Sequence, residues 1–271
     1  MPKKIKKCPA CLKKIKILKN IKDRFGINYS FCFYCKSLFQ NPILKFSQNT
    51  SYNKKIKDPD GEIRFLKNEK KDKINNWYGE VINFLNKNYK PGNILDFGAG
   101  LGFFLSGINH KWKKYALETS KSALKVLKSK NDLTVYSDIN KLTKSNKNYF
   151  DVIFFYHVIE HLHNPHKVLE NLTLLLKKNG ILIVGTPNIN CLAFKLFKKN
   201  FRLLGPGHLC LFNEKSLKAI IENCGFKVFK REFPYFKTKY FNLINLFRLT
   251  QIHKISPPFY GSIMTIYAKK K

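Results

Sequence analysis

Short apolar runs alternate with segments of helical periodicity from residue 93 to the end of the chain. The runs have few polar interruptions, as strands buried on both faces of a sheet do. The segments between them repeat their apolar residues at helical spacing. The predicted strands begin near Asn93, Tyr115, Leu133, Phe150, Ile181, Phe226 and Met264. This alternation predicts an α/β domain with a mostly parallel sheet and helices on both faces.

Residues typical of helix ends mark the boundaries of the predicted helices. Asn164 and Asn213 are typical N-caps, and Pro165 suits the first position of a helix. Gly180 and Gly225 are typical of helix C-termini. The predicted helices cover residues 76–89, 103–108, 120–130, 165–178 and 214–225.

A glycine-rich turn follows the first strand of this domain. The segment 93–97 is an apolar run with Asp96 near its end, and glycines at 98, 100 and 102 then lead into a helix. Glycine allows a sharp turn and a close approach of the backbone to a ligand. Glu118 ends the second strand, twenty residues beyond Gly98, where an acid can accept hydrogen bonds from ribose hydroxyls. The pattern predicts a nucleoside-binding site at the switch point of the sheet.

The pattern D-x-G-x-G-x-G followed by an acid resembles motif I and its partner in class I S-adenosylmethionine-dependent methyltransferases. A dinucleotide fingerprint would have glycine where Phe103 stands. The resemblance implies a Rossmann-like sheet of seven strands whose last strand is antiparallel, with S-adenosylmethionine as cofactor. The cofactor contacts that it implies are Asp96, Gly98, Ala99, Gly100, Gly102, Phe103, Glu118, Thr119, Asp138, Ile139 and His157. In that family Asp138 would meet the adenine amino group, although an N-cap role for Asp138 is an equal alternative.

Three further segments resemble a bacterial subgroup of these methyltransferases, which is linked to saccharide and natural-product pathways. They are YHVIEHLHNP at 156–165, PNIN at 187–190 and GPGHLCLF at 205–212. The resemblance implies a small-molecule or saccharide-type methyl acceptor.

The loop after the fourth strand carries the candidate catalytic residues His157, Glu160 and His161. Ligands of α/β sheets lie at the carboxyl ends of the strands, and histidine has a suitable pKa for a general base near neutrality. His208 is a second candidate. The alternative is that Glu160 and His161 hold the loop through hydrogen bonds.

Four cysteines near the N-terminus form two C-x-x-C pairs, and the four are Cys8, Cys11, Cys32 and Cys35. Their spacing is typical of a tetrahedral zinc site, although a redox C-x-x-C is a competing interpretation. We expect a zinc-ribbon module over 1–45 with one structural zinc ion. A linker or lid over 46–75 and a methyltransferase domain over 76–271 would follow.

The formal net charge is +34, but only five of the 51 basic residues are arginine. Proteins that bind phosphates or read bases often use arginine. The predominance of lysine is better explained by an AT-rich codon bias than by nucleic-acid binding. An RNA methyltransferase is therefore a less favoured alternative, and a non-catalytic scaffold is a third. The chain has no run of 18 apolar residues, so no segment is predicted to span a membrane. Its seven cysteines are odd in number and unevenly spaced, which is more typical of a reduced, cytoplasmic protein than of a disulfide framework.

The segment 235–260 mixes aromatic and aliphatic residues with lysine and arginine. Packing onto the domain is the favoured interpretation for its apolar residues. Capping of the substrate site and peripheral contact with an anionic membrane are the alternatives.

Overall fold

A small antiparallel sheet forms the N-terminal part of the protein. The structure is a computed structural model that describes residues 5–44, 55–57, 63–65 and 78–271. The first strands are β1 (Ile17–Lys22), β2 (Asn28–Cys32) and β3 (Leu38–Gln40), followed by the antiparallel pair β4 (Lys55–Lys57) and β5 (Ile63–Phe65). Apart from β4 and β5, the predicted linker or lid over 46–75 lies outside the described residues.

Strands and helices alternate from residue 78 onward, as the sequence predicts. The strands are β6 (Asn93–Phe97), β7 (Lys113–Leu117), β8 (Leu133–Tyr136), β9 (Phe150–Tyr156), β10 (Leu176–Pro187), β11 (Cys210–Leu211), β12 (Phe226–Glu232) and β13 (Ile263–Lys270). The helices are α1 (Gly79–Asn88), α2 (Phe103–Gly107), α3 (Lys121–Lys128), α4 (Ile139–Ser145), α5 (Pro165–Leu175), α6 (Leu192–Phe197), α7 (Glu214–Asn223) and α8 (Leu243–Arg248). Short 3₁₀ turns lie at Ile159–His161 and Lys198–Asn200.

Seven strands form one sheet in the order β12-β13-β10-β9-β6-β7-β8. The strands from β10 to β8 are parallel, and β13 is antiparallel to both of its neighbours. Alternate residues of β9 enter different apolar clusters, with Val152 and Phe154 in one and Ile153 and Phe155 in the other. Both faces of the sheet are therefore covered, and the predicted α/β methyltransferase fold is confirmed.

The end of α5 and the start of β10 differ from the prediction. The helix ends at Leu175 instead of Lys178, because Leu176 already pairs with Phe150 of β9. Gly180 lies inside β10 and is not a helix C-terminus. A Cβ at Gly180 would lie 2.9 Å from Cδ2 of Leu176, 3.0 Å from the carbonyl oxygen of Lys177 and 3.1 Å from that of Phe150, so close packing on several sides explains the glycine.

The N-terminal sheet extends into the methyltransferase domain. Its strand order is β1-β2-β3-β11, in which Cys210 pairs with Phe39 and Leu211 with Leu38. A strand from far along the chain thus completes the predicted ribbon.

The segment between β12 and β13 packs onto the domain only in part. Tyr235 and residues 256–258 are buried, but the apolar side chains of α8 are exposed to solvent. The favoured prediction for 235–260 was therefore wrong for α8. Within the described part of the chain, no helix combines the length and the apolar composition needed to cross a membrane.

Candidate active site

The glycine turn after β6 adopts the backbone geometry that its sequence predicts. Gly98, Gly100 and Gly102 have φ angles of 84°, 54° and 72°, a region that glycine enters without steric cost. A Cβ on Gly98 would overlap with a methyl group of Val158, in the loop after β9. The turn after β6 and the loop after β9 are thus in direct van der Waals contact.

Glu118 closes the turn through three backbone hydrogen bonds. Its Oε2 accepts from the N–H of Gly100 at 2.7 Å, and its Oε1 accepts from the N–H groups of Thr119 and Ser120 at 2.7 and 2.8 Å. A carboxylate offers about four acceptor sites, so one remains for a ligand hydroxyl. The side chain is buried and therefore well fixed for that contact.

Asp96 is buried beside Glu118 at the end of β6. Burial raises the pKa of Asp96 to about 8; the charge of Glu118 adds to this rise and Lys130 opposes it. Two acids in so small a space favour a ligand with positive charge, because such a ligand stabilises both carboxylates.

The remaining predicted cofactor residues lie along the same edge of the sheet. Asp138 is the N-cap of α4, and its carboxylate accepts from the N–H of Asn140 at 2.8 Å. Ile139 is half-buried beside it, and Phe103 begins α2 directly after the glycine turn. His157 follows β9 and has a φ of 55°, which is strained for a residue other than glycine.

The loop after β9 is organised around Glu160, which is fully buried. Nδ1 of His157 donates to Oε1 at 3.0 Å, and Oγ1 of Thr186 donates to Oε2 at 2.9 Å. Burial alone raises the pKa of Glu160, but the hydrogen bond from His157 and the nearby histidine charges lower it to about 2. Glu160 is therefore an anion that positions the loop, which is the structural alternative that its sequence left open.

His161 and His208 lie side by side, with ring centroids 4.7 Å apart. Nδ1 of His161 donates to the carbonyl of Gly207 at 2.9 Å, and Nδ1 of His208 donates to that of Leu203 at 2.7 Å. Because a carbonyl only accepts, Nδ1 of each ring carries a proton, and Nε2 is the proton acceptor whenever the ring is neutral. Burial, with the charge of His161, lowers the pKa of His208 to about 4, so this ring is neutral.

A hydrogen-bonded path joins this loop to the N-terminal sheet. The N–H of Leu209 donates to the carbonyl of Glu160 at 2.7 Å, and the N–H of Gln40 donates to the carbonyl of Leu209 at 2.9 Å. The hydroxyl of Tyr29, on β2, donates to the carbonyls of Gly205 and His208. The segment 205–209 is therefore held between the ribbon and the loop after β9.

The four predicted cysteine ligands lie together at the end of the ribbon. The Sγ atoms of Cys8 and Cys35 are 3.7 Å apart, as are those of Cys11 and Cys32. Zinc–sulfur bonds of about 2.3 Å in a tetrahedral site place two sulfurs about 3.8 Å apart. In both C-x-x-C turns the fourth N–H after the first cysteine returns to that cysteine's carbonyl. The residues thus have the geometry of a four-cysteine metal site.

Sequence reasoning missed three residues that support the site. Val158 packs on Gly98, Thr186 binds Glu160, and Tyr29 holds the segment around His208. Thr186 lies near the end of β10, directly before the segment 187–190 that resembles the methyltransferase subgroup. Tyr29 offered no signal, because its partners are about 180 residues away in the chain.

Three solved structures share the fold of this chain. A SAM-dependent methyltransferase from Aquifex aeolicus matches 76% of this chain and 97% of its own, with 19% identity and a TM-score of 0.52. Magnesium protoporphyrin IX methyltransferase from Synechocystis PCC 6803, with bound SAH, matches 78% and 90%, with 16% identity and a TM-score of 0.52. A methyltransferase in complex with the Trm112 activator from Haloferax volcanii matches 74% and 93%, with 11% identity and a TM-score of 0.56.

A family model agrees with these structural matches. A search of curated proteins by sequence finds no match. The model described as "Methyltransferase domain" matches residues 70–230, which is more than half of the chain. This span contains the glycine turn, Glu118 and the loop after β9. The chain therefore belongs to this methyltransferase domain family and is a methyltransferase enzyme.

Proposed function

We propose that the protein transfers a methyl group from S-adenosylmethionine to a small-molecule or saccharide-type acceptor. The observation that carries the proposal is the contact between the cofactor turn and the loop of His161, made by Val158 against Gly98. This contact brings a nucleoside site and a proton acceptor to the same edge of the sheet. Methyl transfer to a weakly acidic nucleophile needs both the methyl donor and a base close to the acceptor.

The cofactor side of the site fits S-adenosylmethionine in its chemistry. That molecule carries a sulfonium and an ammonium group, and the buried pair Asp96 and Glu118 favours a cation. In the proposal, Glu118 accepts from a ribose hydroxyl with its remaining acceptor site. The accessible backbone of Gly98 and Gly100 allows the cofactor to approach closely, and Asp138 and Ile139 would lie next to its adenine ring.

On the acceptor side, His161 is the proposed general base. Bound S-adenosylmethionine supplies an electrophilic methyl group, and a neutral thioether remains after transfer. Nε2 of His161 takes the proton of the acceptor as its nucleophilic atom attacks, while the hydrogen bond from Nδ1 to Gly207 fixes the ring. Glu160 and His157 orient the loop, and Glu160 stabilises the positive charge that His161 gains.

A compact acceptor suits this arrangement better than RNA. The base is half-buried between the loop after β9 and the segment 205–209. The chain has few arginines for reading phosphates. The resemblance of three segments to saccharide and natural-product methyltransferases supports the same acceptor class.

The N-terminal module is proposed to hold one structural zinc ion through Cys8, Cys11, Cys32 and Cys35. The sulfur–sulfur distances of 3.7 Å fit a tetrahedral zinc site. Native mass spectrometry of protein purified without chelator should find one zinc per chain. Metal-free protein with four reduced thiols and full activity would contradict this.

Methyl transfer is tested with labelled S-adenosylmethionine and an extract separated into metabolites, glycans and RNA. The proposal expects label in metabolites or glycans with the wild-type protein, and none with Gly98→Asp. Label that accumulates in RNA alone would overturn the acceptor class. An absence of label from every fraction would contradict methyl transfer itself.

A further inference from the structure

Helix α8 faces the protein with a polar residue and faces solvent with apolar ones. Leu243, Ile244 and Phe247 are 84%, 73% and 66% exposed, and Asn245 is buried. The side-chain amide of Asn245 donates to the carbonyl of Tyr240, and its N–H donates to the side chain of Asn242. A surface helix of a soluble protein has the opposite arrangement, with its apolar stripe on the core.

The exposed side chains of α8 belong to a larger apolar surface. The neighbouring residues Phe236, Phe241 and Ile252 are 60%, 50% and 53% exposed. We call the residues 236–254 together the α8 surface. Six large apolar side chains exposed within one short segment indicate an interaction site.

The α8 surface starts from the active-site edge of the sheet. Strand β12 is antiparallel to β13, which is antiparallel to β10, so β12 and β10 point the same way. The chain therefore leaves β12, at Glu232, on the edge where β9 and β10 end. That edge also carries the loop 157–161 and the end of β10 at Pro187.

The charges of the α8 surface are all positive. The chain contains no Asp or Glu after Glu232, and the surface includes Lys237, Lys239, Arg248 and Lys254. Lys237 forms an ion pair with Glu80 at 3.0 Å, and Glu80 belongs to α1 and not to the α8 surface. A segment that combines exposed apolar side chains with cations and no acids is complementary to the acyl chains and headgroups of an anionic lipid bilayer.

We propose that the α8 surface docks the enzyme on an anionic lipid bilayer. Leu243, Ile244 and Phe247 enter the boundary between headgroups and acyl chains, while the lysines and Arg248 contact the headgroup phosphates. The helix is too short to cross the membrane, so it lies in the plane of the interface. The rim of the candidate active site then faces the bilayer, and an acceptor attached to a lipid can reach it. The docking itself does not depend on the proposed acceptor.

Vesicle binding at physiological salt tests this proposal, with lipids of phosphatidylcholine alone or mixed with phosphatidylglycerol. We expect the wild-type protein to sediment with the mixed vesicles only. The variant Leu243→Ser/Ile244→Ser keeps every charge and changes only exposed side chains. It should bind the mixed vesicles at least about tenfold more weakly, because two apolar groups no longer enter the interface.

A matched control separates this surface from the general attraction of a basic protein. Val126 and Leu174 are 42% and 50% exposed on α3 and α5, away from the α8 surface. The variant Val126→Ser/Leu174→Ser should bind vesicles as the wild type does. Equal binding by the α8 variant and the wild type would overturn the proposal, as would an absence of wild-type binding.

A fluorescent reporter adds an independent measurement. Phe247→Trp should emit at a shorter wavelength with mixed vesicles, because its side chain enters an apolar environment, whereas Leu174→Trp should not shift. An unchanged emission of Phe247→Trp in the presence of bound vesicles would also overturn the proposal.

Discussion

The proposed cofactor side of the candidate active site is made by residues close together in sequence, whereas the proposed acceptor side is assembled from distant segments. Asp96, the glycine turn and Glu118 lie within one β-turn-helix-β unit. The acceptor side combines the loop 157–161, the segment 205–209 and the ribbon strands that hold them. We therefore expect the cofactor half to depend mainly on its local motif, and the acceptor half to depend also on its contacts with the N-terminal sheet.

The two halves also differ in their chemistry. Backbone N–H groups fix the carboxylate of Glu118 on the cofactor side. On the acceptor side, backbone carbonyls fix the protonated nitrogens of His161 and His208. A change in one half should therefore alter cofactor affinity, and a change in the other should alter turnover.

The largest effect is expected from Gly98→Ala. The new Cβ would overlap with Val158, and the alanine would have to adopt a φ of 84°. The glycine turn and the loop 157–161 would therefore move apart. We expect the affinity for S-adenosylhomocysteine to fall more than about a hundredfold, equivalent to about 3 kcal/mol. Isothermal titration calorimetry measures it.

Gly26→Ala is the matched control for Gly98→Ala. Gly26 has a φ of 80°, but a Cβ added there would meet no atom within 4 Å, so the variant has the same backbone strain without the clash. Cofactor affinity should stay within about twofold of the wild type, because only left-handed strain is added. An equal loss of affinity in both variants would mean that general destabilisation by left-handed strain, and not the contact with Val158, causes the effect.

His161→Ala should lower turnover by about a hundredfold and leave cofactor affinity nearly unchanged. The reason is that Nε2 of His161 is the proposed proton acceptor, while the cofactor turn does not contact this ring. A steady-state assay combined with calorimetry measures both quantities. The pH–rate profile of the variant should lose its acidic limb.

The control is His163→Ala, which changes an exposed histidine two residues along the same loop. It should have wild-type turnover. A uniform fall in rate for His161→Ala, with the acidic limb intact, would assign His161 a structural role instead.

Removal of the proposed zinc ion should lower turnover about tenfold to a hundredfold, because a small misplacement of the loop 157–161 is costly for catalysis. Hydrogen bonds connect Gln40 of the ribbon to Leu209, and Leu209 to Glu160, so a disordered ribbon should displace this loop. Cofactor affinity should change by less than about threefold, because this hydrogen-bonded path does not include the glycine turn. Chelation and Cys11→Ser provide the test.

Cys191→Ser serves as the control for the cysteine variant. Cys191 is the N-cap of α6, and serine is a good N-cap, so this change should leave metal content and turnover intact. A metal-free enzyme with normal turnover would break the proposed dependence of the acceptor side on the ribbon.

The smallest effect concerns a proton on Asp96. The pKa of Asp96 is raised from 3.8 to about 8, so the folded protein keeps a proton that the unfolded chain loses. Stability from this group therefore falls as pH rises from about 4 to about 8. A cationic cofactor favours the carboxylate, so its binding at neutral pH should release up to about one proton.

Calorimetry of cofactor binding in phosphate and in Tris buffer measures this proton, because the two buffers differ in ionisation enthalpy. Asp96→Asn should bind with the same enthalpy in both buffers. Equal binding enthalpies of the wild-type protein in the two buffers would show that Asp96 is already ionised before the ligand binds, or that the ligand does not change its protonation.

The same contrast explains how much of the protein the sequence predicts. The glycine turn and the alternation of strands and helices along the chain follow from local patterns, and the structure agrees with both. The seven-stranded sheet with an antiparallel last strand was implied by the family resemblance, and the structure has it. The pairing of β11 with β3 depends on two segments about 170 residues apart, and no local pattern encodes it.

Two smaller differences have the same origin. The end of α5 at Leu175 is set by pairing with Phe150, which overrides the helical periodicity of the segment. The outward face of α8 depends on which side the helix docks, and its apolar spacing is the same for a buried and an exposed stripe.

A crystal structure of the protein with S-adenosylhomocysteine tests the central claim most directly. The account predicts the ribose hydroxyls within hydrogen-bond distance of Glu118, the ligand backbone along Gly98–Gly102, and the sulfur facing the loop of His161. A ligand bound with its ribose away from Glu118, or with its sulfur turned away from residues 157–161, would contradict the account.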